Sequence, residues 1–280
     1  MKIIIHGGFF SESATNQETK KAKQEALSAI VIKSYTFLQE HTALETVVFA
    51  VSLLESDPLF NAGLGSQIQS DGKVRLSASV MDGKTQRFSG VINIEDVEHP
   101  VQVSAKLLSE DDRVLSGEGA LDFARKNGFG YFDPVTEQRR AEYEAKRSEQ
   151  GRKGTVGCVA LDRYGNLAAA TSTGGKGFEI PCRVSDSATV AGNFANSHAG
   201  ISCTGVGEDI VSASLASKIV TRVTDGFSLE SATEKSFSEL KEFDGFAGVI
   251  GITSAGEVYH QDSHSYMVWA SFDVNLQVFN

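Results

Sequence analysis

The chain has 280 residues, of which 41% are hydrophobic and 22% are charged, a composition typical of a globular protein with a sizeable core. Its 26 Lys and Arg residues against 36 Asp and Glu residues give a net charge of −10. Because proteins that bind nucleic-acid phosphates are basic, we expect no nucleic-acid partner. The apolar run at residues 3–5 is too short for a signal peptide, and no run reaches the ~18 residues of a membrane span. The sequence therefore predicts no membrane partner and a cytoplasmic location.

The first half of the chain combines predicted helices and strands. Helices are indicated by apolar residues three or four positions apart, and strands by apolar residues that alternate or run together between turn residues. In chain order, the predicted elements are a strand at 2–5 closed by a turn at 7–8, helices at 22–37 and from 42, a hairpin at 67–82, a strand at 88–93 and helices at 100–108 and 118–127. Thr42 and Glu45 form a capping box that begins the second helix.

A charged segment separates the two halves of the chain. Residues 137–153 contain no aliphatic residue larger than alanine, and 10 of these 17 residues are charged. Such a segment cannot bury much apolar surface, so it predicts a solvated helix or a linker. It ends at Gly154 and Thr155, where an apolar strand begins.

The second half of the chain predicts further grouped strands and helices. In chain order, these are a buried hairpin with strands at 155–161 and 167–173, a glycine-rich turn at 203–208, helices at 208–223 and about 228–241, and closing strands at 247–253 and 257–261. Strands and helices do not strictly alternate. This favours sheets packed on each other with helices outside over a doubly wound parallel sheet.

The junction between Gly154 and Thr155 suggests a cleavage point. Cutting this bond would give Thr155 a free α-amine with a pKa of about 7.7–8.0, which suits a base for the threonine's own hydroxyl. The glycine leaves the carbonyl to be attacked free of side-chain bulk. From these two residues alone, the alternative is a simple connection from a linker into a domain.

Two polar clusters bear on this hypothesis. The hydroxyls at 171–173 end the second strand of the hairpin, so they are expected beside Thr155 across the sheet; the alternative is a polar strand end. Arg183 and Asp186 place a guanidinium and a carboxylate three residues apart, a spacing suited to the α-carboxylate and α-amine of a free amino acid. The alternative is a surface ion pair.

The glycine-rich turn at 203–208 offers backbone amides to an anion or to a developing oxyanion. A nucleotide-binding module is a weaker interpretation, because Ile210 stands where the third glycine of the G-x-G-x-x-G pattern belongs. The histidines, His6 among them, have no metal-ligand spacing and are interpreted as isolated surface or core residues. The cysteines Cys158, Cys182 and Cys203 lack a C-x-x-C pair and are interpreted as free thiols.

Several short strings occur in a characteristic order along the chain. They are HGG at 6–8, PLFNAGLGS at 58–66, ASVMDG at 78–83, GTVG at 154–157, ATSTGG at 170–175, PCRVSDS at 181–187 and SCTG at 202–205. Each string alone is weak support, but the ordered set resembles the plant-type L-asparaginase/isoaspartyl peptidase family of N-terminal-nucleophile (Ntn) hydrolases. The resemblance covers nearly the whole chain.

The resemblance implies an α+β fold of the four-layer αββα Ntn-hydrolase type. It also implies a precursor that cleaves itself into an α subunit of residues 1–154, with a linker at about 133–154, and a β subunit of residues 155–280, together forming one folded domain. The expected assembly is a dimer of such α/β pairs. The expected activity is hydrolysis of L-asparagine and β-aspartyl dipeptides through a threonine-linked β-aspartyl ester, with a small-molecule substrate as the partner.

The resemblance also assigns roles to individual residues. Thr155 is the expected nucleophile, with Thr173 behind its hydroxyl and Asn61 assisting cleavage after Gly154. The expected substrate-binding residues are Arg183 for the α-carboxylate, Asp186 for the α-amine, and Thr204 with Gly205, which also form the oxyanion hole. No cofactor is expected for the chemistry. A structural sodium ion is expected on backbone carbonyls of Leu54, Glu55, Asp57, Phe60, Ala62 and Leu64, since oxygen ligands suit a hard cation.

Two alternatives stay open. A glycosylasparaginase-type amidase shares the nucleophile, but precursors of that branch usually carry aspartate where this chain has Gly154. A catalytically silent binding protein with the same fold is suggested by departures from the family pattern. These departures are the pair Phe9 and Phe10, KGFE at 176–179, Cys182 in place of a usual glycine, and DSHSYM at 262–267.

Overall fold

The computed structural model describes residues 1–9, 17–145, 154–264 and 266–280. The described residues form 12 strands and eight helices. The strands are β1 (Lys2–Phe9), β2 (Leu76–Asp82), β3 (Arg87–Ile94), β4 (Val114–Ser116), β5 (Val156–Leu161), β6 (Leu167–Thr173), β7 (Asn193–Ala195), β8 (Ala199–Gly205), β9 (Ala247–Thr253), β10 (Val258–Asp262), β11 (Met267–Phe272) and β12 (Leu276–Val278). The helices are α1 (Gln17–Leu38), α2 (Ala43–Glu55), α3 (Pro100–Leu107), α4 (Gly117–Lys126), α5 (Glu137–Ala145), α6 (Gly207–Ala213), α7 (Leu215–Thr224) and α8 (Leu229–Lys241).

The strands form two sheets. The larger sheet has eight strands in the order β12-β11-β1-β5-β6-β2-β3-β4, and the smaller has four in the order β10-β9-β8-β7. In the larger sheet, β1 and β6 flank β5, with Ile5 opposite Cys158 and Ser172 opposite Val156. Strand β5 therefore lies at the centre of the larger sheet.

Side chains that alternate along the strands of the larger sheet pack into two separate apolar cores. Ile3 and Ile5 of β1 join a core with helices α1, α2 and α3, whereas Ile4 joins a second core with Ile250 and Ile252 of β9. This division follows from the period of two in a strand. On the smaller sheet, side chains of β8 and β9 form a third core with α7 and α8. The structure is thus a mixed α and β fold with stacked sheets, as predicted.

Most predicted elements are confirmed, including helices α1, α3, α4 and α8, strand β3 and the β5–β6 hairpin. The capping box of α2 is formed, since the Thr42 side chain accepts from the Glu45 N–H and the Glu45 side chain accepts from the Thr42 N–H. Helix α5 buries none of its residues, as expected of a solvated helix. The rest of the predicted linker, residues 146–153, lies outside the described residues.

The turn predicted at residues 7–8 is wrong. Strand β1 continues through Gly7 and Gly8 to Phe9, and its register with β11 shifts between His6 and Phe9. Gly8 has φ +84° there, so the glycine pair makes an irregularity within the strand rather than ending it.

Two other predictions need correction. The 67–82 hairpin is only half formed. Its turn is present, because the Gly72 N–H donates to the Gln69 carbonyl. Residues 67–70 form no strand, because β3 and β6 occupy both edges of β2. The helix predicted at 208–223 is divided into α6 and α7 by Ser214, whose φ of 50° interrupts the helical backbone.

No helix of the described part of the chain combines the length and apolarity needed to cross a membrane.

Candidate active site

Thr155 lies just before the central strand β5, with 6% of its surface exposed. Its Oγ1 lies 3.1 Å from Thr173 Oγ1 at the end of β6 and 2.9 Å from the carbonyl oxygen of Gly154. Thr173 Oγ1 lies 3.1 Å from the same carbonyl oxygen. The hydroxyls expected to neighbour each other across the hairpin are therefore in contact.

Asn61 completes the surroundings of the Gly154 carbonyl. Its Nδ2 donates to that carbonyl oxygen at 2.9 Å and to the Gly175 carbonyl at 2.5 Å. The Gln67 N–H donates to Asn61 Oδ1 at 2.9 Å, which fixes the orientation of the amide. Hydroxyl and amide donors thus converge on one peptide carbonyl, an arrangement that polarises it toward attack.

A cavity of about 780 Å³ opens over Thr155. One part of its lining is formed by residues 175–183 and another by residues 205–208. Thr173, Gly205 and Arg183 are among the lining residues, so the cavity joins the nucleophile candidate to two of the four predicted binding residues.

Arg183 is paired with Glu208 and not with Asp186. Its Nε donates to Glu208 Oε1 at 2.5 Å and its Nη2 donates to Oε2 at 2.6 Å. The hydrogen bonds from Arg183 lower the pKa of Glu208 to about 2. The sequence analysis assigned no role to Glu208, because its contact with Arg183 depends on tertiary packing.

Asp186 is buried beside this pair. Burial raises the pKa of its carboxyl to about 6, and the Ser185 hydroxyl donates to Oδ1 at 2.8 Å. Asp186 Oδ2 has no hydrogen-bond partner among the described residues. A Cβ at Gly207 would lie 2.9 Å from Asp186 Oδ1 and 3.0 Å from Arg183 Nη2, so both predicted binding groups converge on this glycine.

The predicted oxyanion residues end strand β8. Gly205 lines the cavity, and Thr204 is fully buried one residue before it. Thr204 Oγ1 has no hydrogen-bond partner within the described ranges. A buried hydroxyl without a partner is costly, so this position is an exception among buried polar groups.

The predicted sodium loop is a tight turn after α2. The Leu64 N–H donates to the Glu55 carbonyl at 2.8 Å and the Phe60 N–H to the Asp57 carbonyl at 3.1 Å, which coils the loop on itself. Each carbonyl oxygen has a second lone pair, so these bonds are compatible with a cation. Among the residues that the structure describes, no cluster of three or more His, Cys, Asp or Glu side chains is arranged to hold a metal.

Among the residues that depart from the family pattern, 176–179 and Cys182 line the cavity, whereas Phe9 and His264 are not among its lining residues. Phe9 contacts the Phe246 ring at 4.5 Å, and Phe246 stacks on His264 at 4.6 Å. Cys182 lines the cavity with φ 65°, a conformation suited to the glycine that is usual there. Phe10, and Ser265 within the 262–267 segment, lie outside the described residues.

His6 is a part of the site that the sequence analysis missed. Its Nδ1 lies 3.1 Å from the Thr155 carbonyl oxygen and its Nε2 lies 2.9 Å from Ser202 Oγ. The available signal was the pairing of two glycine-containing strings, because β1 and β5 set His6 opposite Gly157.

Comparisons with known proteins show which family the sequence is similar to. A sequence model of the asparaginase family matches residues 1–277. An isoaspartyl peptidase/L-asparaginase of Synechocystis sp. is 44% identical over 275 residues, which cover 92% of this chain and 83% of that protein. One of Nostoc sp. is 43% identical over 277 residues, covering 92% and 87%. A plant-type L-asparaginase of Pyrococcus furiosus is 35% identical over 293 residues, covering 96% and 95%.

Proposed function

The chain belongs to the asparaginase family, and we propose that it is a self-processing hydrolase of L-asparagine and β-aspartyl dipeptides. The observation that carries this proposal is the convergence of Thr155 Oγ1, Thr173 Oγ1 and Asn61 Nδ2 on the Gly154 carbonyl oxygen. The names of the relatives support the two substrate classes.

Self-processing begins with attack of Thr155 Oγ1 on the Gly154 carbonyl carbon. A C–O bond forms, the C–N bond breaks, and the hydroxyl proton passes to the departing nitrogen. Water then hydrolyses the ester, leaving a carboxylate on Gly154 and a free α-amine on Thr155. The products are an α subunit of residues 1–154 and a β subunit of residues 155–280.

Substrate hydrolysis uses the same hydroxyl with the new α-amine as its base. Oγ1 attacks the side-chain carbonyl of the aspartyl group, ammonia or an amino acid leaves, and water hydrolyses the β-aspartyl ester. Thr173 assists the nucleophile, and the unpartnered Thr204 hydroxyl with the Gly205 N–H receives the developing oxyanion.

Substrate binding uses the groups that converge on Gly207. We assign the substrate α-carboxylate to Arg183 and the α-amine to Asp186, whose Oδ1 is the atom that lies beside Gly207. Fixing both α-groups holds the reacting carbonyl in register with Thr155.

The fold and assembly proposals follow the same resemblance. The four-layer αββα order is supported by helices α1–α3 against the larger sheet and α7 and α8 against the smaller one. We propose a dimer of α/β pairs, which light scattering after size exclusion will test. The cytoplasmic location stays a prediction.

A sodium ion is proposed for the loop after α2. The carbonyls of Leu54, Glu55, Asp57, Phe60, Ala62 and Leu64 would hold it, and its contribution is to loop stability and not to any chemical step. Replacing sodium by choline is expected to lower the Tm, and an unchanged Tm would remove the ion from the proposal.

The proposed function is tested by a denaturing gel and intact mass of the purified chain beside a Thr155→Ala variant. We expect fragments of 154 and 126 (280 − 154) residues from the wild type and an uncut variant. Release of aspartate from L-asparagine and from a β-aspartyl dipeptide then tests activity, with glycosylasparagine as the competing substrate. A chain that stays uncut and hydrolyses none of these would favour the silent binding protein.

A further inference from the structure

His6 links the candidate nucleophile to a buried polar chain. Its side chain is fully buried, with Nδ1 3.1 Å from the Thr155 carbonyl oxygen and Nε2 2.9 Å from Ser202 Oγ. Ser202 Oγ in turn lies 2.7 Å from Thr171 Oγ1. The chain of contacts therefore crosses from the larger sheet to the smaller one and back.

The Thr155 carbonyl oxygen at one end fixes the direction of every hydrogen bond in this series of contacts. A carbonyl oxygen only accepts, so Nδ1 of His6 carries the proton. Burial lowers the pKa of His6 to about 3, which keeps the ring neutral and makes Nε2 an acceptor. The Ser202 hydroxyl therefore donates to Nε2, and the Thr171 hydroxyl donates to Ser202.

The hydrogen bond from His6 meets Thr155 at the point where strand β5 stops pairing with its neighbours β1 and β6. The register of β5 ends at Gly157 on the β1 side and at Val156 on the β6 side. Thr155 lies beyond both registers, and the His6 side chain lies within hydrogen-bond distance of its carbonyl oxygen. Self-cleavage would remove the covalent tie to Gly154 and increase the importance of this contact.

Gly157 leaves the space that this chain of side chains needs. A Cβ at Gly157 would lie 2.0 Å from Ser202 Oγ and 2.4 Å from His6 Nε2, far inside any van der Waals contact. The last glycine of the GTVG string is therefore explained by His6 and Ser202.

We propose that His6, oriented by Ser202, is a positioning residue for the Thr155 nucleophile. The Nδ1–H of His6 fixes the Thr155 carbonyl, and through it the direction of the hydroxyl and of the α-amine that self-cleavage creates. This inference rests on the proposed function of Thr155 and adds a residue to it.

The test compares four variants with the wild type. His6→Leu removes the donor, His6→Asn keeps an N–H near the position of Nδ1, and Ser202→Ala removes the group that orients the ring. Thr233→Val is the matched control, because it deletes a fully buried hydroxyl that lies in helix α8, outside this series of contacts.

We expect His6→Leu to lower kcat about tenfold, the effect of one lost hydrogen bond, with KM changed less than about threefold. His6→Asn should recover most of the loss, the kcat of Ser202→Ala should fall between those of His6→Leu and the wild type, and Thr233→Val should stay within about twofold of the wild type. A His6→Leu enzyme with wild-type kcat, or a His6→Asn enzyme no better than His6→Leu, would overturn the proposal.

A second measurement does not depend on activity. The ring ¹⁵N shifts of His6 in the uncut Thr155→Ala protein should report a neutral ring protonated on Nδ1 across pH 5–8, and Ser202→Ala should weaken that preference. A ring protonated on Nε2, or one that titrates near its ordinary pKa of about 6.5, would overturn the proposal even if His6→Leu does not fold. If the wild type neither cuts itself nor hydrolyses substrate, the proposed function fails, and the ring shifts still decide whether His6 holds Thr155.

Discussion

At the residue scale, the Gly154 carbonyl oxygen is the atom on which Thr155, Thr173 and Asn61 converge. We expect Asn61→Asp to slow self-cleavage by about tenfold to a hundredfold, because the substitution removes the N–H donor on this carbonyl while keeping an acceptor for the Gln67 N–H. The uncut fraction is followed over time on denaturing gels. Asn127→Asp, at an exposed asparagine, is the control, and equal cleavage rates in both variants would contradict the role of Asn61.

Gly207 tests the substrate-binding groups separately from cleavage. A Cβ there would lie 2.2 Å from Ser185 Oγ and would displace the side chains around it. We therefore expect Gly207→Ala to raise the KM for asparagine about tenfold or more while self-cleavage continues. Gly119→Ala is the matched control, because nothing lies within 4 Å of the added methyl group. If Gly119→Ala also raises the KM, the effect of Gly207→Ala cannot be attributed to displaced side chains around Gly207.

Asp186 gives the activity a pH dependence with a definite sign. Because burial raises its pKa to about 6, the carboxylate takes up a proton as the pH falls through that value. The neutral acid does not bind a substrate ammonium group, so kcat/KM is expected to fall on the acid side with an apparent pKa near 6. Ser185→Ala removes a hydrogen bond that holds the pKa down, so the acid limb should move to higher pH. The exposed Ser238→Ala serves as the control, and an unmoved limb in Ser185→Ala would argue against Asp186.

At the element scale, the cap of α2 shows what local sequence decides. Thr42→Ala removes the acceptor for the Glu45 N–H and is expected to lower the free energy of unfolding by about 1 kcal/mol. Ser116 occupies the N-cap of α4 without a side-chain cap, so Ser116→Ala should change little. Urea unfolding in the uncut Thr155→Ala background measures both in a single chain. Equal losses in the two variants would show that the capping bond contributes nothing.

Elements with local signals could be predicted from the sequence, and those that depend on distant strands could not. Helix α2 carries its cap and its apolar stripe within a few residues, and the β5–β6 hairpin carries its own turn. Strand β11 is built on pairing with β1, about 260 residues away in sequence, so its own residues gave no decisive pattern. The 67–82 hairpin failed for the same reason, because partners remote in sequence occupy the edges of β2.

The residues of the candidate site likewise divide into those with a local sequence signal and those that depend on distant strands. The hairpin pattern alone places the hydroxyls at 171–173 beside Thr155, and the family resemblance singles out Thr173. His6 could not be placed there, because its contact with Thr155 depends on the long-range pairing of β1 with β5 and on Ser202 from the other sheet. The partner of Arg183 was also hidden, since Glu208 is reached through tertiary packing.

At the scale of the whole molecule, the proposed subunits alternate within one sheet. Strands β1 and β2 belong to residues 1–154, yet β1 lies between β11 and β5 and β2 adjoins β6, all of which come from residues 155–280. Separating the fragments therefore means breaking three strand ladders of the larger sheet.

We expect the cleaved protein to behave as one particle until it unfolds. Both fragments should elute together in size exclusion and should separate only in denaturant, at the concentration that also abolishes the circular dichroism of the sheet. The uncut Thr155→Ala protein provides the control elution volume. Fragments that separate in native buffer would contradict this topology.

The burial of Thr155 has a consequence for the chemistry of the chain ends. With 6% of its surface exposed, a terminus created there would be withheld from exopeptidases and from enzymes that modify N-termini. Small electrophiles that enter the cavity would reach this amine, and an occupying amino acid would shield it. Labelling of the Thr155 amine would thus report whether the cavity is occupied.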